Sequence, residues 1–140
     1  MKLLLVAGRF PQRSETFIYR KAVGLAARGH DVTVACRSAG EWALYPEPLP
    51  PTLHVEVWPP DVGLRDPRRA LRAALGGLGG ALREPAGTRS LVALVRRDPR
   101  TRGDVRTQVL RHLPLVGRSF DVIHFEFLGL GTMYPLARAL

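Results

Sequence analysis

The chain has 140 residues, 46% of them apolar and 24% charged. That length and composition suit one globular domain with a core of its own rather than a disordered polymer. Cys36 is the single cysteine, which excludes a disulfide scaffold and any multi-cysteine metal site.

Charge is unevenly spread. Lys+Arg number 21 against 12 Asp+Glu, a net of +9, and every base except Lys2 and Lys21 is arginine. Residues 1–60 carry a net +2, residues 61–118 a net +8 and residues 119–140 a net −1. An anionic partner should therefore meet the middle of the chain. The bias toward Arg, Ala, Gly, Leu and Pro also fits a GC-rich coding sequence, so part of the charge reports nothing about partners. The apolar start ends at Arg9, too short for an export segment. No run of about 18 apolar residues follows that could span a bilayer. The expected location is cytoplasmic, at most peripheral to the inner face of the membrane.

Residues 2–6, Lys-Leu-Leu-Leu-Val, form a continuous apolar run, the pattern of a strand buried on both faces of a parallel sheet. Gly8 and Pro11 mark residues 7–13 as a loop. Ser14 is placed to cap a helix, with Glu15 in its first turn. Ile18, Ala22, Leu25 and Ala26 recur on one helical face, and Gly29 follows as the C′ residue. Residues 31–36 read as a second, β-branched strand, completing a βαβ unit.

A Pro-rich connection (Pro46, Pro48, Pro50, Pro51) leads to a third strand over residues 54–58. Leu71, Ala74, Leu75, Leu78 and Leu82 mark a helical face flanked by Arg68, Arg69, Arg72 and Arg83, weakened by four glycines at 76, 77, 79 and 80. Leu91, Leu94 and Val95 predict a short helix ended by Asp98 and Pro99. Val105, Val109, Leu110 and Leu113 predict another, ended by Pro114. Residues 120–127 read as a fourth strand, and Met133, Leu136, Ala137 and Leu140 as the start of a last helix. The expected fold is α/β, a Rossmann-like open parallel sheet with helices on both faces. It looks unfinished where it stops.

Right-handed crossovers gather the strand-to-helix loops at the carboxyl edge of such a sheet, and ligands bind where strand order reverses. If the order is 3-2-1-4, the loop Gly8–Thr16 faces the loop His124–Gly129. The helix start in the first loop also suits a phosphate. No G-x-G-x-x-G, Walker A or G-x-S-x-G sequence is present. His30, His54, His112 and His124 lack metal-ligand spacing.

Phe10-Pro11-Gln12-Arg13-Ser14-Glu15-Thr16-Phe17-Ile18, then Leu25-Ala26-Ala27-Arg28-Gly29-His30-Asp31-Val32, resembles the N-terminus of retaining glycosyltransferases of family GT4, in their bacterial polysaccharide, colanic-acid-type branch. Asp121-Val122-Ile123-His124 is similar to the strand that reads D-[VL]-[IV]-H-x-H-F in that branch. The resemblance covers residues 1–36 and 119–135 and leaves 37–118 without a counterpart. It implies a GT-B fold of two Rossmann-like domains, of which residues 1–140 would be an incomplete acceptor-side half. The donor-binding domain with its E-x7-E motif would lie outside the chain. It implies a nucleotide-sugar donor as substrate, a glycan or lipid-linked acceptor, and no cofactor or metal. Gly8, Arg9, Arg13, Ser14, Glu15 and Thr16 then correspond to the loop that approaches the donor phosphate and sugar. His124 corresponds to the first histidine of H-x-H. Glu126 stands where the branch has its second histidine, so a catalytic role there belongs to a carboxylate.

Plainer readings stand beside these. Ser14, Glu15 and Thr16 could serve only to start a helix, and Arg9 and Arg13 could be solvated. His124 could be a core histidine, His30 a turn residue and Cys36 a buried strand thiol. For the basic stretch 65–118 the readings are a solvated face, a peripheral contact with anionic membrane, or a nucleic-acid surface. No aromatic residue falls between Trp58 and Phe120, which disfavours stacking on nucleic acid. The alternative function is accordingly a non-catalytic basic α/β module that binds anionic membrane or nucleic acid.

Overall fold

A computed structural model describes residues 1–58, 82, 84–137 and 139. The chain divides into two compact units, residues 1–58 with 120–131, and residues 59–119 with 132–140.

The first unit is an open, all-parallel sheet in the order β3-β2-β1-β4, with β1 at Lys2–Phe10, β2 at Asp31–Ala39, β3 at Leu53–Val57 and β4 at Val122–Phe125. The α/β class is the one the sequence predicts, and the strand order is the one supposed for it. Leu3 to Ala7 are all buried, which is why β1 reads as an unbroken apolar run instead of an alternating one. Leu5 sits between Val34 of β2 and His124 of β4.

Helix α1, Thr16–Ala27, buries Ile18, Ala22 and Ala26, three positions four apart on one stripe. They join Leu3, Leu5, Ala7, Phe10, Val32, Val34, Cys36 and Leu53 in one core. The helix ends at Gly29, whose φ of 84° is the left-handed conformation glycine adopts without a Cβ penalty. The next amide, His30, donates to Leu25 O at 3.3 Å, so the turn role expected of His30 is carried by its backbone. Cys36 is buried, its Sγ donates to Glu56 O at 3.6 Å, and burial pushes the thiol up to about 11. It is a core residue.

Several boundaries differ from the sequence reading, among them β2, which runs on to Ala39, and β3, which is Leu53–Val57 rather than 54–58. β1 runs on to Phe10, so Gly8 and Arg9 lie in strand rather than loop, with Arg9 opposite Ser38 of β2. β4 covers only Val122–Phe125, not residues 120–127. The last helix is Leu128–Met133 and ends where it was expected to begin. Pro135 explains that difference, because the residue before a proline is pushed out of the α region. Tyr134, Leu136 and Ala137 are still buried, in the turn that follows.

The second unit contains α2, Pro85–Arg97, and α3, Val105–His112. Proline at the first position of α2 removes an amide that would have no partner. In α3 the Asp104 side chain accepts from the Thr107 amide at 3.3 Å, an N-cap. Leu91, Val95, Leu113 and Leu136 form this unit's core, with Leu113 in the turn after α3 rather than on the helix. The predicted helical face at 71–82, with Arg68, Arg69, Arg72 and Arg83, lies outside the described residues except for Leu82, which is exposed.

His112 is fully buried in the second unit. Its Nδ1 lies 2.8 Å from Gln108 O, and its Nε2 accepts from the Leu136 amide at 3.3 Å. Those bonds require the neutral ring with its proton on Nδ1. Burial, then the neighbouring Arg111 charge, lowers its pKa, while the backbone bonds at Gln108 and Tyr134 oppose them. The unfolded chain then takes up a proton near pH 6.5 that the folded chain refuses. This stability is complete above that pH and is lost as pH falls, by up to about 1.4 kcal/mol per pH unit. Urea melts at pH 7.5 and 5.5 should show the loss, and His112→Phe should flatten the slope.

Gly40 marks a close approach. A Cβ there would collide with the carbonyl oxygen of Pro11, a backbone atom. Gly40→Ala is expected to destabilise by about 1–3 kcal/mol, read as a lowered thermal midpoint.

Candidate functional site

Parallel pairing sends every strand of the first unit out at one edge. The chain leaves β1 toward β2 on one side, and β4 lies on the other, so the reversal of strand order falls between the exits of β1 and β4. The Glu126 amide donates to Val6 O at 3.0 Å, carrying the ladder one residue past β4. This fixes Glu126 beside the middle of β1, which runs four residues past Val6 to Phe10. A Cβ on Gly8, within β1, or on Gly129, within the last helix, would meet no atom of the described residues within 4 Å.

Lys21 reaches this edge from α1. Its Nζ donates to Glu126 Oε2 at 2.7 Å and lies 3.3 Å from His124 Nε2. The His124 Nε2 is 3.7 Å from the same carboxylate oxygen. The Glu126 side chain is 1% exposed, against 35% for Lys21 and 50% for His124. His124 is therefore not a core histidine. Glu126 Oε1 is buried with no hydrogen-bond partner, and such an acceptor costs about 1–3 kcal/mol until a donor reaches it. The pair itself follows from burial, because a carboxylate withdrawn from water stays charged only beside a counter-ion.

The first loop is built differently from the sequence expectation. A 3₁₀ turn, Arg13–Glu15, precedes α1, and the Glu15 amide donates to Gln12 O at 3.0 Å. The turn moves the helix start on by one residue, so Glu15, not Ser14, holds the N-cap position, without a side-chain bond. Ser14 Oγ instead accepts from Gln12 Nε2 at 2.8 Å. Arg9, Arg13, Ser14 and Thr16 are exposed, and Glu15 is half-buried with Oε2 unpartnered.

The Pro-rich connection holds this loop in place. Gly40 N donates to Phe10 O at 2.9 Å, Glu41 N to Pro11 O at 2.8 Å, and Tyr45 Oη to Gln12 O at 3.4 Å. Phe10 stacks on Tyr19 with ring centres 6.1 Å apart and meets Trp42 edge-on at 6.0 Å, and Tyr19 meets Tyr45 at 4.2 Å. Sequence reasoning missed this clamp and missed Lys21. One signal for Lys21 was present, since it and Lys2 are the only lysines among 21 bases.

Among the described residues no group of three or more His, Cys, Asp and Glu side chains is arranged to hold a metal ion, and no helix is long and apolar enough to cross a membrane. No family model matches the chain, and searches of curated proteins and of solved structures return no match.

Removing Lys21 strands a buried carboxylate. Lys21→Met should destabilise by about 1–3 kcal/mol, less than for a fully buried pair because the ammonium is partly solvated. Lys21→Met/Glu126→Gln should recover part of that loss in urea titrations.

Proposed function

We propose that the chain is the acceptor-side half of a nucleotide-sugar-dependent retaining glycosyltransferase of the GT4 type, transferring a sugar to a glycan or lipid-linked acceptor. One observation carries the reading: the buried Glu126, with an unpartnered oxygen, and His124 stand at the carboxyl end of β4, alongside the middle of β1. That is the edge to which the H-x-H-like and F-P-x-x-S-E-T-F-I-like segments both lead. Glu126 and His124 would orient hydroxyls of the transferred sugar. Backbone amides at the Arg13–Glu15 turn and the start of α1, with Arg9 and Arg13, would offset charge on the departing nucleoside diphosphate. No metal or cofactor is assigned a role.

In this reading the chain alone does not turn over, because the donor is held largely by a second Rossmann-like domain. The test is to read the locus past the codon for Leu140, express whatever continuous protein it encodes, and assay nucleoside diphosphate release from a panel of nucleotide sugars. Release that falls about a hundredfold in Glu126→Gln, with folding retained, is the expected result. No release from any donor overturns the proposal.

A second reading rests on exposed Arg89, Arg96, Arg97, Arg102 and Arg106 in the second unit. Their charge suits anionic lipid. Salt-sensitive co-sedimentation with phosphatidylserine vesicles, absent with neutral ones, would add a membrane contact through residues 65–118. Equal salt-sensitive binding to RNA would favour a nucleic-acid module instead.

A further inference from the structure

We infer that His124 is a proton-operated counter-ion for Glu126: once protonated, its ring takes over the carboxylate and releases Lys21, so that acid uncouples α1 from the end of β4. The device stands apart from the glycosyl-transfer reading and survives its failure.

Three groups meet at one carboxylate oxygen. Glu126 Oε2 lies 2.7 Å from Lys21 Nζ and 3.7 Å from His124 Nε2, and the two nitrogens are 3.3 Å apart. A lysine ammonium carries protons and no acceptor. The contact between the nitrogens therefore uses the lone pair of Nε2, which makes the ring neutral with its proton on Nδ1. A proton taken from solvent onto Nε2 removes that lone pair. Two cations then crowd one negative charge at a distance where like charges repel. The same proton makes Nε2 a donor, about 0.9 Å short of a charge-assisted bond to Oε2.

Exposure decides which cation stays. The Glu126 side chain is 1% exposed and needs a counter-ion whenever it is charged. Lys21 is 35% exposed and sits on a flexible stem, so its ammonium can turn into water without moving α1. The His124 ring is half-exposed and meets solvent protons, while its backbone is held opposite Leu5 of β1. The other charges on the elements around it are Arg20 and Arg28 on α1, Lys2 and Arg9 on β1, and Asp121 before β4. Arg28 Nη1 donates to Gly24 O at 2.8 Å, the Lys2 amide donates to Asp121 Oδ2 at 2.7 Å, and Arg9 lies opposite Ser38 of β2. An imidazole is the side chain that ordinarily changes charge between about pH 5 and 8, which sets the range of the test.

The wild-type 140-residue chain, Lys21→Met, His124→Gln and His124→Gln/Lys21→Met should be unfolded in urea at pH 8.5 and pH 5.5. His112 is common to all of them and cancels in comparisons at one pH. Lys21→Met should lower the urea midpoint at pH 8.5 and lower it about half as much or less at pH 5.5, where His124 replaces the lost ammonium. In the His124→Gln background the loss should be the same at both pH values. A loss independent of pH in the chain that keeps His124 overturns the inference. So does a loss that shrinks equally with His124→Gln, as protonation of Glu126 itself would produce. Nitrogen NMR of the wild-type ring needs no variant to fold. It should show His124 protonated on Nδ1 alone at pH 8.5 and on both nitrogens at pH 5.5, with the Lys21 ε-methylene signal moving in step. A ring protonated on Nε2 at pH 8.5, or a Lys21 signal that ignores the titration of the ring, also overturns it.

Discussion

The constraint on which the rest depends is the parallel pairing of β1 with β2 on one side and β4 on the other. It pairs β1 on both sides over Leu3–Val6, and it sets the exit of β4 beside the middle of β1. Two segments more than a hundred residues apart in the chain then share one edge of the sheet. Buried strands with both ladders satisfied are among the last parts of a fold to open. The edge is therefore a rigid base for the groups mounted on it.

Glu126 is where that rigid base meets chemistry. The strand ladder continues to its amide, which sets the backbone, and burial then demands a counter-ion for the carboxylate. Helix α1 supplies Lys21, and the same helix buries Ile18, Ala22 and Ala26 in the core. One face of α1 is thus fixed by apolar packing while its margin carries a charge to the sheet edge. Buried ion pairs contribute little net stability. The arrangement makes better sense as the presentation of a single unpartnered oxygen, since a chain needing only stability would do as well with an apolar side chain there.

The connection between β2 and β3 has a comparable double use. Its prolines limit the conformations it must lose on folding. Gly40, Glu41 and Tyr45 give it three bonds to the loop after β1, and Trp42 and Tyr45 stack into the Phe10–Tyr19 cluster. Loop residues 11–15 are consequently supported from below. The second unit is organised on other terms, around a small aliphatic core and a buried neutral histidine that joins α3 to the Leu136 turn.

Much of this architecture was legible in the sequence. A continuous apolar run, a β-branched run, a 3.6-residue stripe and Gly29 identify the βαβ unit, because those signals come from residues close together in the chain. The strand order 3-2-1-4 was a supposition compatible with crossover connections, and the sheet has it. Placing Glu126 and His124 at the carboxyl edge required only that order. What the sequence left undecided depends on contacts across long separations. Ser14 has the right chemistry to cap a helix, but the 3₁₀ turn over Arg13–Glu15 moved the start to Thr16. Pro135, overlooked beside an apolar stripe, stopped the last helix at Met133. The partnership of Lys21 with Glu126 spans 105 positions, and no local propensity encodes it. Only the folded sheet, which withdraws one carboxylate from water beside one ammonium, decides that pairing and leaves Oε1 waiting for a donor.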